Sequence, residues 1–377
     1  RITAGTSNEI VYARSELFSG DNKRINNSLY TQLDKKIGRI NLSFGARYER
    51  FEISSEKEHI IDGDTINNFA AGKPVFRTGI NYQAAEETYL RASWGQGFRF
   101  PSMAELFIKA NQAGIEIYPN PSLKPESGWS TELAVKQGIK VGNWLGYLDV
   151  AGFLMQYNNM MEFSFAQWTK PPTGQWPGLE NYGFKSVNVG NTQISGIEFS
   201  CTGQGKINNN LMLNVLAGYT YMNHFSLTPD EVYAQGATGD ITYSNSSSDP
   251  SLLKYRYNHI AKTDLEIIYK DFSVGGSFRY NDFMKNIDYV FTTGLINEGL
   301  VNDQGQVALE PIIPGINEAR EKFKNGDFII DMRLGYQVNS MIKFGFVVNN
   351  LLNREYMTRP ATMMPPRTFA FQCSLKI

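Results

Sequence analysis

The sequence predicts an all-β fold, a transmembrane antiparallel β-barrel, from three observations. Apolar and polar residues alternate with a period of two along the 377-residue chain, which is typical of strands whose two faces meet different surroundings. Short and long connections alternate between these segments, as in outer-membrane barrels with tight periplasmic turns and long extracellular loops. The segments are about ten residues long, which is enough to cross a hydrocarbon layer when tilted.

About fourteen segments carry this alternation. In FIIDMRLGY, for example, Ile330 and Leu334 share one face while Arg333 lies on the other. The predicted strands cover residues 8–18, 27–36, 39–48, 74–84, 88–99, 127–139, 144–160, 183–203, 209–221, 259–269, 272–280, 327–336, 341–349 and 366–377. The predicted long connections cover residues 19–26, 55–73, 100–126, 161–182, 224–256, 286–326 and 353–365.

The width of such a barrel decides which face points inward. Fourteen or more strands enclose a lumen too wide for side chains to fill, so water or a plug must occupy it. The charged face is therefore predicted to line the lumen and the apolar face to contact lipid. The alternative is a large soluble β-protein, a propeller or paired sandwiches, but neither explains the alternating connection lengths.

Five segments occur in order along the chain. They are GQGFRFPSMAEL at 95–106, NPSLKPESGWSTELAVKQG at 120–138, YGFKSVNVGNTQISGIEFS at 182–200, VVNNLLNREY at 347–356 and PPRTFAFQCSLKI at 365–377. Together they resemble the TonB-dependent outer-membrane receptor family. The resemblance implies a twenty-two-stranded barrel with an N-terminal plug in its lumen.

Strand counting then identifies residues 1–377 as the C-terminal portion of that barrel, with roughly its last fourteen strands. The plug, the first strands and the segment that contacts TonB would precede Arg1. An open sheet has two unpaired edges, which hydrocarbon does not tolerate. A companion chain or a further segment of the same protein is therefore expected to complete the barrel.

The resemblance also implies a function, a place and partners. It implies TonB-dependent import of a scarce, bulky ligand across the outer membrane of a Gram-negative bacterium, driven by the TonB–ExbB–ExbD system. An Fe(III)–siderophore is the favoured ligand, because NLLNREY and PPRTF look more like iron-chelate and cobalamin receptors than like glycan importers. Outer-membrane lipid is expected to surround the barrel. A surface lipoprotein is the further partner expected if the imported ligand is cobalamin, haem, a glycan or a peptide.

Several functions besides siderophore import stay open. Cobalamin, haem, glycan or peptide import would use the same fold, although residues 102–119 lack the histidine that haem receptors carry between segments like FRFP and NPSL. A passive diffusion channel and an adhesive barrel belong to different functional classes. Lys and Arg (36) nearly balance Asp and Glu (37), so the net charge does not favour nucleic acid as a partner.

Nothing in the sequence predicts an enzyme, a metal site or a cofactor. The three histidines, His59, His224 and His259, lie far apart in the chain, and no GxSxG, HExxH, CxxC or P-loop pattern occurs.

Two groups of residues are predicted to carry function. Aromatic residues of the long loops, with one arginine at a strand end, are predicted to bind substrate, since rigid aromatics suit a chelate, a corrin or a sugar ring. These are Arg99, Tyr118, Trp168, Trp176, Tyr182 and Tyr289. The alternative for the aromatics is the girdle at the membrane interface.

The second group consists of charged residues of the lumenal face, which are predicted to contact the plug through ion pairs. These are Arg47, Arg91, Glu198, Asp264, Glu266, Arg279, Asp331, Arg333 and Lys343. The alternative is that they only solvate a wet interior.

Overall fold

The computed structural model describes residues 1–18, 20–61, 64–112, 115–173, 178–301, 307–310, 313–359 and 362–376. Its strands are β1 (Ile2–Ser15), β2 (Gly20–Ile37), β3 (Ile40–Ile61), β4 (Asp64–Ala85), β5 (Thr88–Arg99), β6 (Ala110–Gln112), β7 (Ile115–Tyr118), β8 (Glu126–Val141), β9 (Asn143–Asn158), β10 (Met161–Gln167), β11 (Tyr182–Asn188), β12 (Thr192–Asn208), β13 (Leu211–Ser226), β14 (Val232–Gly236), β15 (Gly239–Thr242), β16 (His259–Tyr269), β17 (Phe272–Asn281), β18 (Leu295–Val301), β19 (Val307–Glu310), β20 (Asp327–Gln337), β21 (Ile342–Asn349) and β22 (Thr368–Leu375). Its helices are α1 (Met103–Phe107), α2 (Tyr243–Ser246), α3 (Tyr289–Thr293) and α4 (Ile316–Lys322). In the part of the chain described, these helices are too short to cross a membrane.

Fourteen strands form one antiparallel sheet, the main sheet. Its order is β1-β2-β3-β4-β5-β8-β9-β12-β13-β16-β17-β20-β21-β22, so each strand pairs with the next membrane strand along the chain. Each predicted segment overlaps one strand of the main sheet. The sheet confirms the predicted all-β antiparallel fold.

The prediction of long connections at residues 19–26 and 55–73 is wrong. β2 begins at Gly20, and β3 and β4 have 22 residues each, about twice the length that crosses hydrocarbon. Beyond the membrane both faces of a hairpin meet water or other loops, so the alternation that marks the membrane part disappears.

The predicted strand at 183–203 is also wrong, because it is two strands in different sheets. β11 ends at Asn188 and β12 begins at Thr192. Between them Gly190 has a φ of 91°, a conformation that favours glycine and turns the chain out of one sheet and into the other.

The two faces of the main sheet differ as predicted. Asp264 of β16 pairs in register with Ser277 of β17, so their side chains lie on the same face. Arg333 of β20 pairs with Gly275, which is two residues from Ser277 on β17, so Arg333 lies on that face too. The opposite face exposes large apolar side chains to the surroundings, among them Leu265, Val274, Leu334, Phe369 and Phe371. Such a face is stable against lipid rather than against water.

Most of the buried apolar side chains lie in the long connections, and a few at the end of β3 pack against them. The connections after β5 and β9 contribute a small second sheet, the loop sheet, with the order β10-β11-β7-β6. Three hydrophobic clusters adjoin it, among them the rim cluster and the cap cluster. The rim cluster contains Phe51, Ile53, Met103, Leu106, Phe107, Leu123 and Met161. The cap cluster contains Phe165, Tyr182, Met284, Ile287, Phe291 and Ile316.

Candidate functional site

The segment FRFPSMAEL leads the chain from β5 into α1. Arg99 Nη1 donates to both carboxylate oxygens of Glu105, at 2.7 and 2.9 Å. Glu105 and Ser102 also form a capping box, in which the Ser102 hydroxyl accepts from the Glu105 backbone N–H and the Ser102 N–H donates to the Glu105 carboxylate. Phe100 stacks on Phe51, with ring centroids 4.7 Å apart. The segment therefore anchors α1 beside the end of β5 in the main sheet.

The surroundings of Glu105 keep it charged. Burial alone would raise the pKa of this carboxyl, but the Ser102 N–H and the Arg99 guanidinium outweigh burial and hold the pKa below its usual value. Arg99 thus has a structural partner in the free protein, and its assignment as a substrate residue stays a prediction.

Arg99→Gln separates the two roles of this arginine. The ion pair with Glu105 is half exposed, so its loss is expected to cost α1 about 1 kcal/mol or less. Glu105→Ala also removes the capping box and is expected to cost about 1–2 kcal/mol. Amide hydrogen exchange of residues 103–108 in the whole protein measures the loss in both variants. Loss of ligand binding in Arg99→Gln with unchanged exchange would instead identify Arg99 as a ligand contact.

Three predicted substrate residues come together at the loop sheet. Tyr118 Oη donates to the carbonyl of Glu180 at 2.7 Å. Trp168 Nε1 donates to the carbonyl of Gly183 at 2.9 Å. Tyr182 is buried in the cap cluster. Each of the three thus holds loops together in the free protein, and a contact with cargo stays a prediction.

The remaining two predicted aromatic residues lie elsewhere. Tyr289 begins α3 and exposes half of its surface. Trp176 lies outside the described residues. The structure therefore does not bring all the predicted substrate residues to one place.

Six of the nine predicted plug-contact residues form ion pairs within the main sheet, and four of these six pair with one another. Arg91 joins three strands, because it reaches Glu132 on β8 at 2.9 Å and Asp149 on β9 at 3.3 Å. Arg333 on β20 reaches Asp264 on β16 at 2.5 Å. The ion pairs that involve residues predicted to contact the plug are Arg47–Glu49, Arg91–Glu132, Arg91–Asp149, Arg279–Asp331 and Arg333–Asp264.

Three of these residues are not in ion pairs within the described ranges. Glu266 accepts a hydrogen bond from Asn214 Nδ2 at 2.9 Å. Glu198 and Lys343 have no oppositely charged group within 4 Å in the same described ranges. A plug would therefore compete with existing pairs at most positions and meet unpaired charges at Glu198 and Lys343. Plug contact stays a prediction for the whole group.

The sequence analysis missed a buried ion pair in the long connections. Lys254 and Asp288 are each 1% exposed, and their Nζ and Oδ1 atoms are 2.6 Å apart. Asp288 also accepts from Tyr255 Oη at 2.5 Å and from Ser164 Oγ at 3.4 Å. Because Ser164 follows β9, Lys254 follows β13 and Asp288 follows β17, these contacts join three long connections. We call Ser164, Lys254, Tyr255 and Asp288 the loop lock.

Lys254 of the loop lock stays charged although it is buried. Burial lowers the pKa of Lys254, but the Asp288 carboxylate more than offsets this, so the pKa lies above its usual value. Burial and the same carboxylate raise the pKa of Tyr255, which keeps its hydroxyl a donor. Beside the lock, Arg256 donates to Glu162 at 2.9 Å. No local pattern signals these partners, since Lys254 and Asp288 are 34 residues apart in the chain.

Fold and site together define a class of protein, an outer-membrane β-barrel with a charged lumenal face and a mouth covered by packed loops. No group of three or more histidine, cysteine or acidic residues placed to hold a metal occurs among the described residues.

The chain belongs to the family described as TonB dependent receptor-like, beta-barrel, whose model matches residues 2–351. This confirms the resemblance and places the protein in the outer membrane of a Gram-negative bacterium.

Known receptors share the fold at low identity. The hemophore receptor HasR of Serratia marcescens, solved with its hemophore HasA and heme, has a TM-score of 0.62 and 15% identity, over 99% of this chain and 56% of that chain. The siderophore receptor PiuA of Acinetobacter baumannii has a TM-score of 0.58 and 17% identity, over 94% of this chain and 42% of that chain.

A curated relative is similar over part of the chain. The hemoglobin and hemoglobin-haptoglobin-binding protein A of Haemophilus influenzae is 24% identical over 200 residues, which are 47% of this chain and 18% of the relative. The chain thus spans about half the length of the solved receptors and less than a fifth of the curated relative. The family consists of receptors and transporters.

Proposed function

We propose that the protein imports a scarce, bulky ligand across the outer membrane in a TonB-dependent way, and that this ligand is an Fe(III)–siderophore. The observation that carries the proposal is that the long connections pack over one end of the main sheet and are tied together by the loop lock. A passive channel needs an open mouth, whereas a receptor gains affinity from preformed, ordered loops.

Two of the similar proteins support a cargo that contains iron, while a third is a copper transporter. One of the similar proteins is a siderophore receptor, and another is a hemophore receptor solved with heme. Haem is therefore the second candidate cargo, and the absence of histidine from residues 102–119 favours the siderophore. Neither the similar proteins nor the missing histidine favours import of cobalamin, a glycan or a peptide. The packed loops do not favour passive diffusion through the barrel.

The proposal extends to partners outside this chain. Residues 1–377 act as the C-terminal portion of the barrel, and a preceding plug contacts the TonB–ExbB–ExbD system and is remodelled when TonB pulls. A companion chain or segment completes the barrel, and a surface lipoprotein is a further partner for large cargo. The protein does this work by differential binding between closed and pulled states, without catalysis.

Growth on single iron sources tests the proposal. The full-length receptor is expressed in a host without its own ferric receptors, with and without TonB, on ferric catecholate, ferric hydroxamate or haemin. We expect growth on a ferric siderophore that is lost without TonB. Growth on haemin alone would establish haem as the cargo. Swelling of receptor-containing liposomes in small sugars would establish a channel instead.

A further inference from the structure

One face of β10 carries three apolar residues with different surroundings. Met161, Phe163 and Phe165 lie on this face, since they are two residues apart in a strand. Met161 is buried in the rim cluster and Phe165 is buried in the cap cluster. Phe163, between them, is 44% exposed. Phe163 is therefore the exposed ring on a face whose other two apolar side chains are buried.

The ring of Phe163 is held in a fixed orientation. It stacks on Phe184 of β11, with centroids 4.8 Å apart and planes at 6°. Phe184 is fixed in turn by the edge-on ring of Phe165, at 5.0 Å and 79°. Phe163 pairs in register with Ser186 rather than with a second large side chain. One face of the Phe163 ring is thus covered by a parallel ring, and no ring contact to its other face is found among the described residues.

The face of β10 that carries Phe163 packs against the main sheet at Met161. The rim cluster that buries Met161 contains Phe51 and Ile53, which follow Arg47 on the lumenal face of β3 at two-residue spacing. The face of β10 that carries Met161 and Phe163 therefore looks toward the extracellular end of the lumen. A bulky cargo that enters there passes the open face of Phe163.

We propose that Phe163 is a cargo-contacting residue that makes the receptor select cargo with a planar aromatic group. This inference rests on the proposed function and deepens it. A cargo ring that stacks on Phe163 continues the parallel arrangement of Phe163 and Phe184 without moving a side chain, so little conformational entropy is lost on binding. An aliphatic ligand group gains only the burial of its area at the same place.

Two ferric chelates that differ in aromatic content test this inference. The probes are the Fe(III) complexes of 2,3-dihydroxybenzoate and of acetohydroxamate, and binding to the full-length receptor is followed by quenching of its intrinsic fluorescence. Phe163→Leu keeps an apolar side chain but removes the ring. An aromatic pair contributes about 0.5–1.5 kcal/mol beyond burial, so we expect this variant to bind the catecholate complex about 2- to 10-fold more weakly. Binding of the hydroxamate complex is expected to change less than about twofold.

Two further variants control the measurement. Phe163→Tyr keeps a stacking ring and is expected to restore catecholate binding. Phe369→Leu removes an exposed phenylalanine from the lipid-facing surface of β22 and is expected to change neither affinity.

The inference is overturned by unchanged catecholate affinity in Phe163→Leu, by an equal loss for both complexes, or by a wild-type receptor that does not bind the catecholate complex. The growth assay judges the proposed function separately, because TonB-dependent growth on any ferric source would leave the importer in place even when Phe163 makes no contact.

Discussion

Lys254→Met is expected to loosen three long connections of the full-length receptor at the same time. The substitution leaves the Asp288 carboxylate buried without its cation, a change that costs about 3–5 kcal/mol when one partner of a buried pair is removed. Asp288 is also bound by Ser164, which lies in another connection, and by Tyr255 beside Lys254. Amide hydrogen exchange should therefore rise together in residues 162–166, 243–256 and 284–291.

An exposed ion pair in one of the same connections provides a matched control. Lys324 and Glu321 are 60% and 76% exposed, and pairs of this kind contribute about 1 kcal/mol or less. Lys324→Met is therefore expected to leave all three segments unchanged. The double variant Lys254→Met/Asp288→Leu removes both charges and is expected to recover part of the lost protection. A rise confined to residues 243–256 in Lys254→Met would show that the three connections are independent.

The expected joint response has a consequence for the proposed import. Connections that share one buried ion pair cannot open singly without exposing or unpairing a charge. Cargo binding or release that moves one of them must therefore move all three, or else take place where the lock is absent, such as the long β3–β4 hairpin.

Leu265→Arg is expected to impair membrane insertion far more than Leu216→Arg does. Both leucines are exposed in the chain and lie near the middle of the neighbouring strands β16 and β13. Leu265 lies on the apolar face, where an arginine near the bilayer midplane costs about 2–4 kcal/mol. Leu216 pairs in register with Asp264 on the lumenal face, where a new arginine meets water and a carboxylate.

The measurement is the denaturant midpoint of each full-length variant in lipid vesicles, with the folded fraction read from its mobility on unheated gels. The two variants differ only in which face receives the same new side chain. Equal losses, or a larger loss for Leu216→Arg, would contradict the assignment of the two faces.

The strands could be predicted from sequence because their signal is local. In β16, the adjacent residues Asp264 and Leu265 are one charged and one apolar, which predicts that the two faces of the strand have different surroundings. The structure places them on opposite faces. The prediction failed at β3, where residues such as Phe51 and Ile53 pack under α1 on the lumenal side. The face pattern of a membrane strand does not continue there, since no lipid lies on the other side.

The candidate site was predicted in part. Alternation along the strands found Arg91 and Arg333 on the lumenal face, but it did not show that each already has a carboxylate partner. The prediction from sequence chose tryptophan and tyrosine residues of the loops. It therefore included Trp168 and Tyr182, which hold the loops together, and omitted Phe163. Composition does not tell an exposed aromatic residue from a buried one when both lie in one strand.

The order of the strands, the lumenal and lipid-facing sides and the family follow from the sequence alone, because each depends on neighbours one or two positions away or on contiguous segments. The partners of Lys254 and Phe163 were decided only by the tertiary structure. These residues lie in connections whose contacts come from distant parts of the chain, and burial in a packed cluster, rather than any local period, determines which charge is paired and which ring is left open.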